Sequence, residues 1–137
     1  MSQRYWDPSH RLLETIRSYQ NSRTRLFRGF AVLRHHFWSA VSGADIPLNC
    51  SIGKDVKFPH PNGVVIHPSA HISDGCMIMQ QVTIGVKSGD NNDAPHLEHG
   101  VDVGAGAKIL GKITIGAYSR IGANAVVLKN VPAYSIV

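Results

Sequence analysis

The residues whose types could do chemistry gather around one short stretch, "FPHPNGVVI" at 58–66. His60 stands there between Pro59 and Pro61, which fix the backbone on both sides of it, and Asp45 lies fifteen residues earlier. A general base needs a histidine with one ring nitrogen held by a carboxylate and the other directed outward, so that its tautomer is set. His60 and Asp45 therefore read as a candidate dyad, provided that the fold stacks residue 45 beneath the turn at 60.

The pattern around them predicts such stacking. Aliphatic residues, with one Phe, fall at 46, 52, 58, then 66, 72, 78, 84, then 97, 103, 109, 115, 121 and 127, a step of six except twice. Four positions after most of these comes something small or aliphatic: Cys50, Val56, Ala70, Cys76, Val82, Val101, Ala107, Ile113, Ser119, Ala125 and Val131. A period of six suits neither a helix at 3.6 residues per turn nor an alternating hairpin. It suits a parallel β-helix in which each hexapeptide makes one short strand and one corner. Three hexapeptides per turn of the coil predict about four coils, spaced by the ~4.8 Å of paired strands. Gly53, Gly85, Gly104, Gly116 and Gly122, each just after a large position, and Asn124 and Asn130 near corners, are expected at tight turns or at positive φ.

Insertions in a solenoid are tolerated at corners, where a rigid frame displays them. The first interruption is the eight-residue step from Phe58 to Ile66, which carries His60. The second is the thirteen-residue step from Ile84 to Leu97, a protruding loop over 85–96 that also carries a histidine, His96.

Before Asp45 the pattern is helical. "PSHRLLETIRSYQ" sets Leu12, Leu13, Ile16 and Tyr19 at helical spacing, and "TRLFRGFAVLRHHFWSAV" does so with Leu26, Phe27, Phe30, Val32, Leu33, Phe37, Trp38 and Val41. The chain thus divides into a helical segment at 1–44 and a β-helix at 45–137. Seven arginines (4, 11, 17, 23, 25, 28, 34) face only Asp7 and Glu14 in the first segment, and the second balances seven Lys/Arg against seven Asp/Glu, so the net charge of +5 belongs to the helices. Basic amphipathic helices suit a membrane surface or an acidic partner. The simpler reading is that their apolar faces cap the β-helix or pack on another subunit while the arginines meet water.

Composition narrows the classes. A length of 137 residues fits one domain, and 43% hydrophobic with 17% charged residues is ordinary for a globular protein. No apolar run approaches the ~18 residues of a membrane span, and "MSQRYWDPSH" lacks the basic and apolar regions of a signal peptide, so a cytoplasmic location without membrane insertion is expected. Cys50 and Cys76, 26 residues apart and outside any CxxC, read as reduced interior thiols rather than as a disulfide or a metal site. The balanced β-helix and the lack of a recognition motif argue against nucleic acid.

The stretches "DIPLNCSIGKDVKFPHPNGVVIHP", "QQVTIG" and "VGAGAKILGKITIGAYSRIGANAVVLKNVPAYS" resemble the hexapeptide-repeat acetyltransferases, serine O-acetyltransferases most closely, over about residues 24–137. The resemblance implies a left-handed β-helix, an exception to the right-handed crossover rule, and a homotrimer whose active sites lie between subunits. It implies acetyl transfer from acetyl-CoA to a hydroxyl, with His60 as base, Asp45 as its support, and an oxyanion donor among the backbone N–H groups near Gly85. Gly85, Ala105 and Ala123 fall where the pantetheine arm of the cofactor lies, and Arg120 and Lys129 fall near its phosphates. Pro59, Asp93 and His96 fall near the acceptor. No metal is implied.

Departures carry information too. Pro59 stands where those enzymes have an acid before the catalytic histidine, and Ala94 stands where they have a second histidine, which leaves His96 as its substitute. Most of their N-terminal helical domain is missing, as is the tail that docks onto cysteine synthase, so a complex with that enzyme is not expected. Serine is the favoured acceptor, and a sugar hydroxyl on a polysaccharide precursor is the alternative. Two readings of other classes use the same scaffold. A γ-class carbonic anhydrase would bind zinc with three of His60, His67, His71, His96 and His99, and a non-enzymatic scaffold would use the helices to hold a partner.

Overall fold

The computed structural model describes residues 7–87 and 93–137. Two helices, α1 (Pro8–Asn21) and α2 (Arg25–Ser42), precede a stack of short parallel strands. Pro8 opens α1 behind Asp7, whose carboxylate accepts from the Ser9 N–H at 3.0 Å. Gly43, in the left-handed region at φ 70°, ends α2.

The chain then climbs through five levels. The first holds Asp45, β1 (Ser51–Ile52) and Lys57; the second β2 (Val65–Ile66), β3 (His71–Ile72) and β4 (Met77–Ile78). The third holds β5 (Thr83–Gly85), β6 (His96–Leu97) and β7 (Asp102–Val103), and the fourth β8 (Lys108–Leu110), β9 (Thr114–Ile115) and β10 (Arg120–Ile121). The fifth holds β11 (Val126–Val127), followed by single bridges at Val131 and Ile136. Vertical pairing makes three parallel faces: β2, β5, β8 and β11 on the first, β1, β3, β6 and β9 on the second, β4, β7 and β10 on the third. Thirteen large positions at three per level make four full levels and the start of a fifth, in line with about four coils, and the first and last levels pair partly through single bridges.

The core is the large register stacked on itself. Ile46, Ile66, Ile84, Ile109 and Val127 line the first face inside, Ile72, Leu97 and Ile115 the second, and Ile78, Val103 and Ile121 the third, all buried. Burial of each such side chain contributes roughly 1.5–3 kcal/mol. Ser119 is the polar member of the small register, and its hydroxyl donates to the Pro132 carbonyl at 2.8 Å and accepts from the Ser135 N–H at 3.2 Å. Cys50 and Cys76 are buried in the same register. Burial pushes the Cys50 thiol up to about 12 and raises that of Cys76 as well. Neither thiol is expected to react with iodoacetamide at pH near 8 in the native protein, whereas both react in guanidinium, a difference that mass spectrometry of the intact chain reads directly.

The glycines after large positions serve a different end from the one expected. Gly53, Gly85, Gly104, Gly116 and Gly122 are not among the positive-φ residues, which instead include Gly63, Gly75, Gly100, Gly106 and Asn124 at the corners. Gly53, Gly104 and Gly116 are required by the next level: a Cβ on any of them would press into backbone above, as at Gly104, where Ala123 N would lie 2.7 Å away. Asn130 acts through its side chain, Oδ1 accepting from the Thr114 N–H at 2.9 Å.

The helices close the lower edge of the stack, where carbonyls have no coil beneath them. Arg17 donates to Gly53 O at 3.0 Å, Gln20 Nε2 to Leu48 O and Cys50 O at 2.9 and 2.8 Å, and His35 Nε2 to Ile46 O at 2.7 Å. Leu12, Leu13 and Ile16 of α1 join the β-helix core. Of the two roles read from the sequence for its apolar face, capping the β-helix or packing on another subunit, α2 does not take the first, since Leu26, Phe27, Phe30, Leu33, Phe37 and Val41 are all exposed in the single chain. No helix among the described residues is long and apolar enough to cross a membrane.

Candidate active site

The eight-residue step forms the corner between the third and first faces. Phe58 and Val64 anchor its ends in the core, while Pro59 and His60 are exposed. The corner is tied from below and above: the Gly63 N–H donates to Gly43 O at 2.9 Å, and Asn62 O accepts from the Gln81 N–H at 2.9 Å. The ladder continues upward, Gly106 N–H to Gln80 O at 2.9 Å and Asn124 N–H to Ala105 O at 2.8 Å. One vertical edge of the prism therefore carries, from bottom to top, the His60 corner, Gln80 and Gln81, Ala105 and Gly106, and Ala123 and Asn124.

Asp45 belongs to the foot of this edge. It is exposed, lies in register below Val65, and its backbone exchanges bonds with that strand, N–H to Val64 O at 2.7 Å and O from the Ile66 N–H at 3.0 Å. Its outward side chain thus stands one level below the strand that leaves the His60 corner. Among the described residues neither the His60 ring nor the Asp45 carboxylate has a hydrogen bond or ion pair within the chain. The expected dyad is therefore not hydrogen-bonded within one chain.

Ala105 and Ala123 do stack, one level apart on this edge, two and three levels above the His60 corner, or ~10 and ~14 Å at the spacing of paired strands. Arg120 is next to them on the third face, its side chain 74% exposed and only 3.9 Å from Asp102 Oδ2, a loose pair that leaves the guanidinium available. Lys108, a cation that the sequence reading passed over, points outward from the first face and donates from Nζ to Gln81 O at 2.7 Å. Its sign in the sequence was its place immediately before the inward Ile109.

The remaining candidates lie elsewhere. Gly85 ends β5 at the opposite side of the first face, where its carbonyl accepts from the Gly111 N–H at 3.0 Å, and exposed Lys129 follows β11 at that same edge. Of the loop at 85–96, residues 88–92 lie outside the described residues; Asp93 and Ala94 are half-buried and Pro95 is buried. His96 points outward from the second face, paired in register with His71 with ring centroids 4.5 Å apart and planes tilted by 37°, so a single chain does not bring it to His60. Burial and the neighbouring His96 hold His71 below its ordinary value, and its Nδ1 meets the Ser51 hydroxyl at 2.7 Å. Among the described residues no three His, Cys, Asp or Glu side chains are grouped to hold a metal ion.

No family model matches the chain. It is 41% identical over 98 residues to the serine acetyltransferase of Haemophilus influenzae, a match covering 71% of this chain and 37% of that one. A solved serine acetyltransferase in complex with CoA superimposes with a TM-score of 0.81 at 31% identity, over 96% of this chain and 54% of that chain. The chain is a serine acetyltransferase-like hexapeptide-repeat protein. Soybean serine acetyltransferase complexed with serine is a further structural neighbour of this serine acetyltransferase-like chain, with a TM-score of 0.79 and 32% identity over 94% of this chain and 52% of that one. The chain spans less than half the length of the curated relatives it matches, between 37% and 42% of the first three.

Proposed function

We propose that the chain is an acetyl-CoA-dependent O-acetyltransferase that moves acetyl directly onto a hydroxyl, serine first among acceptors. The observation that carries this reading is the single edge on which His60 and Asp45 stand below the stacked Ala105 and Ala123. The resemblance to chains solved with CoA and with serine supports it.

The chemistry needs few groups. His60 takes the proton from the acceptor hydroxyl as its oxygen attacks the thioester carbonyl, and Asp45 holds the imidazolium that forms. The tetrahedral intermediate then collapses, breaking the carbon–sulfur bond, and the leaving thiolate recovers the proton from His60. Holding both substrates in one groove replaces a covalent acetyl-enzyme. The pantetheine arm would run up the edge past Ala105 and Ala123, with Arg120, Lys108 or Lys129 near phosphate charge.

A single chain separates the edge carrying His60 from the edge carrying Gly85 and Lys129. A homotrimer of left-handed β-helices, which would set one chain's His60 edge against a neighbour's Gly85 edge, supplies the oxyanion donor and completes the groove. We place this enzyme in the cytoplasm, with its acetyl-CoA supply.

One observation favours a second acceptor class. From Phe58 to Ile66 the corner carries no acid, and exposed Pro59 precedes His60 where an acid would meet an ammonium group. A sugar hydroxyl needs no such partner. Thiol release from acetyl-CoA, measured with serine, homoserine and a panel of sugars, tests both. Serine turnover at least ten-fold above the rest upholds the first reading, a sugar in that position replaces it with the second, and CoA that neither binds nor turns over sinks both.

A further inference from the structure

We infer that α2 docks this protein onto an anionic lipid surface, lying flat in the headgroup region rather than crossing it. Leu26, Phe30, Leu33, Phe37 and Val41 follow one another at steps of four, three, four and four, which on a helix at 100° per residue makes one continuous stripe. They are 83%, 62%, 70%, 60% and 50% exposed. The helix is held by its other side: Ala31 and Ser42 are buried, His35 bonds Ile46 O, and Arg28 donates to Ser22 O at 3.2 Å beneath the Tyr19 ring. The stripe therefore faces outward from a helix whose position is fixed by the opposite face. A length of 18 residues gives it about 27 Å.

Charge decides what covers the stripe. No acidic residue occurs between Thr15 and Ala44, a segment with Arg17, Arg23, Arg25, Arg28 and Arg34. Arg17 and Arg28 are engaged with backbone carbonyls, Arg23 and Arg25 are exposed at the head of α2, and Arg34 and His36 flank the stripe on its two sides. A second copy laid face to face about a two-fold axis would set arginine against arginine with no acid to separate them, because such a contact repeats the same patch, and a three-fold neighbour, which would present a different face, is distinguished by particle size. Anionic headgroups match both features at once: acyl chains receive the apolar stripe, and phosphates receive the arginines. No helix among the described residues meets the length and hydropathy of a span, so the proposal has α2 lie in the surface plane.

The test is co-sedimentation of the full chain with vesicles of phosphatidylcholine alone and of phosphatidylcholine with phosphatidylglycerol. Binding is expected only to the second, and high salt is expected to reverse it. Arg23→Ala with Arg25→Ala is expected to weaken partitioning about thirty-fold, and Leu33→Gln with Phe37→Gln about a hundred-fold, both with helical circular dichroism and CoA binding unchanged. Absence of binding to the anionic vesicles, or equal binding to neutral ones, overturns the proposal. So does a smaller particle in sedimentation velocity for the Leu33→Gln, Phe37→Gln protein, since a second copy then occupies the stripe.

Discussion

Replacing His60 with alanine is expected to lower the rate of acetyl transfer by about a hundred- to ten-thousand-fold, the range a positioned general base supplies, and to leave melting temperature and CoA affinity where they were. The geometry separates these effects. His60 is exposed and makes no hydrogen bond within the chain among the described residues, so its loss removes no packing and orphans no partner. The corner is held by Phe58 and Val64 in the core and by the backbone bonds of Asn62 and Gly63 to the levels above and below. Exposed substitutions of this kind shift stability by about 0.5 kcal/mol or less. Asp45→Asn keeps the backbone bonds to Val64 and Ile66, and the amide can still accept from the imidazole. A loss nearer ten-fold is expected for it, in the chemical step rather than in CoA binding. Thiol release under saturating acetyl-CoA, with calorimetry as the control, reads both. Wild-type turnover in the His60→Ala protein removes the histidine from the mechanism.

How much of this was legible from residues alone depends on what the repeat encodes. A step of six tells which side chains point inward, and Ile66, Ile84, Leu97, Ile109 and their companions are buried where that step puts them. It also implies that residues next to them point outward, which places His96 and Lys108 on faces rather than in corners. The period does not tell which vertical edge a corner occupies. Ala105 and Ala123, eighteen apart with no insertion between them, could be stacked from the sequence. The corner at 60 could be joined to the same edge only by subtracting two extra residues at one interruption and seven at the other. Family resemblance groups Gly85 and Lys129 with His60 in a site between subunits, and within one chain they lie on another edge.

The misreadings share a cause as well. Amphipathic spacing in α2 identifies a helix and its apolar stripe but not what the stripe faces, and the same pattern serves a capped core, a subunit contact or a lipid surface. Likewise a glycine after a large residue signals that Cβ is unwelcome, without saying whether φ or a neighbouring rung is the reason. Only the stacking distances separate those two.

Gly104 is where that distinction has its largest consequence. Alanine there is expected to destabilise the protein by about 3 kcal/mol, combining overpacking at 1–3 kcal/mol with weakened rung-to-rung hydrogen bonds at roughly 1 kcal/mol each. A Cβ on Gly104 would lie 2.7 Å from Ala123 N, 2.8 Å from Ile121 O and 2.9 Å from Gly122 C, all backbone atoms with no rotamer to escape through. The corner cannot slide away, because the Gly104 N–H donates to Ile121 O and Ala105 O accepts from the Asn124 N–H, both at 2.8 Å. The third and fourth levels must part instead, and Ala105 and Ala123 part with them. At a fixed protein concentration the melting temperature should fall by about 10 °C, and CoA binding should weaken in the same variant. Gly85→Ala is the control for stability: among the described residues its added methyl would meet side-chain carbons alone, Leu110 Cδ2 at 3.7 Å and Thr83 Cγ2 at 3.8 Å, which is ordinary contact. Equal melting temperatures for Gly104→Ala and Gly85→Ala would show that the rungs yield more easily than their hydrogen bonds imply.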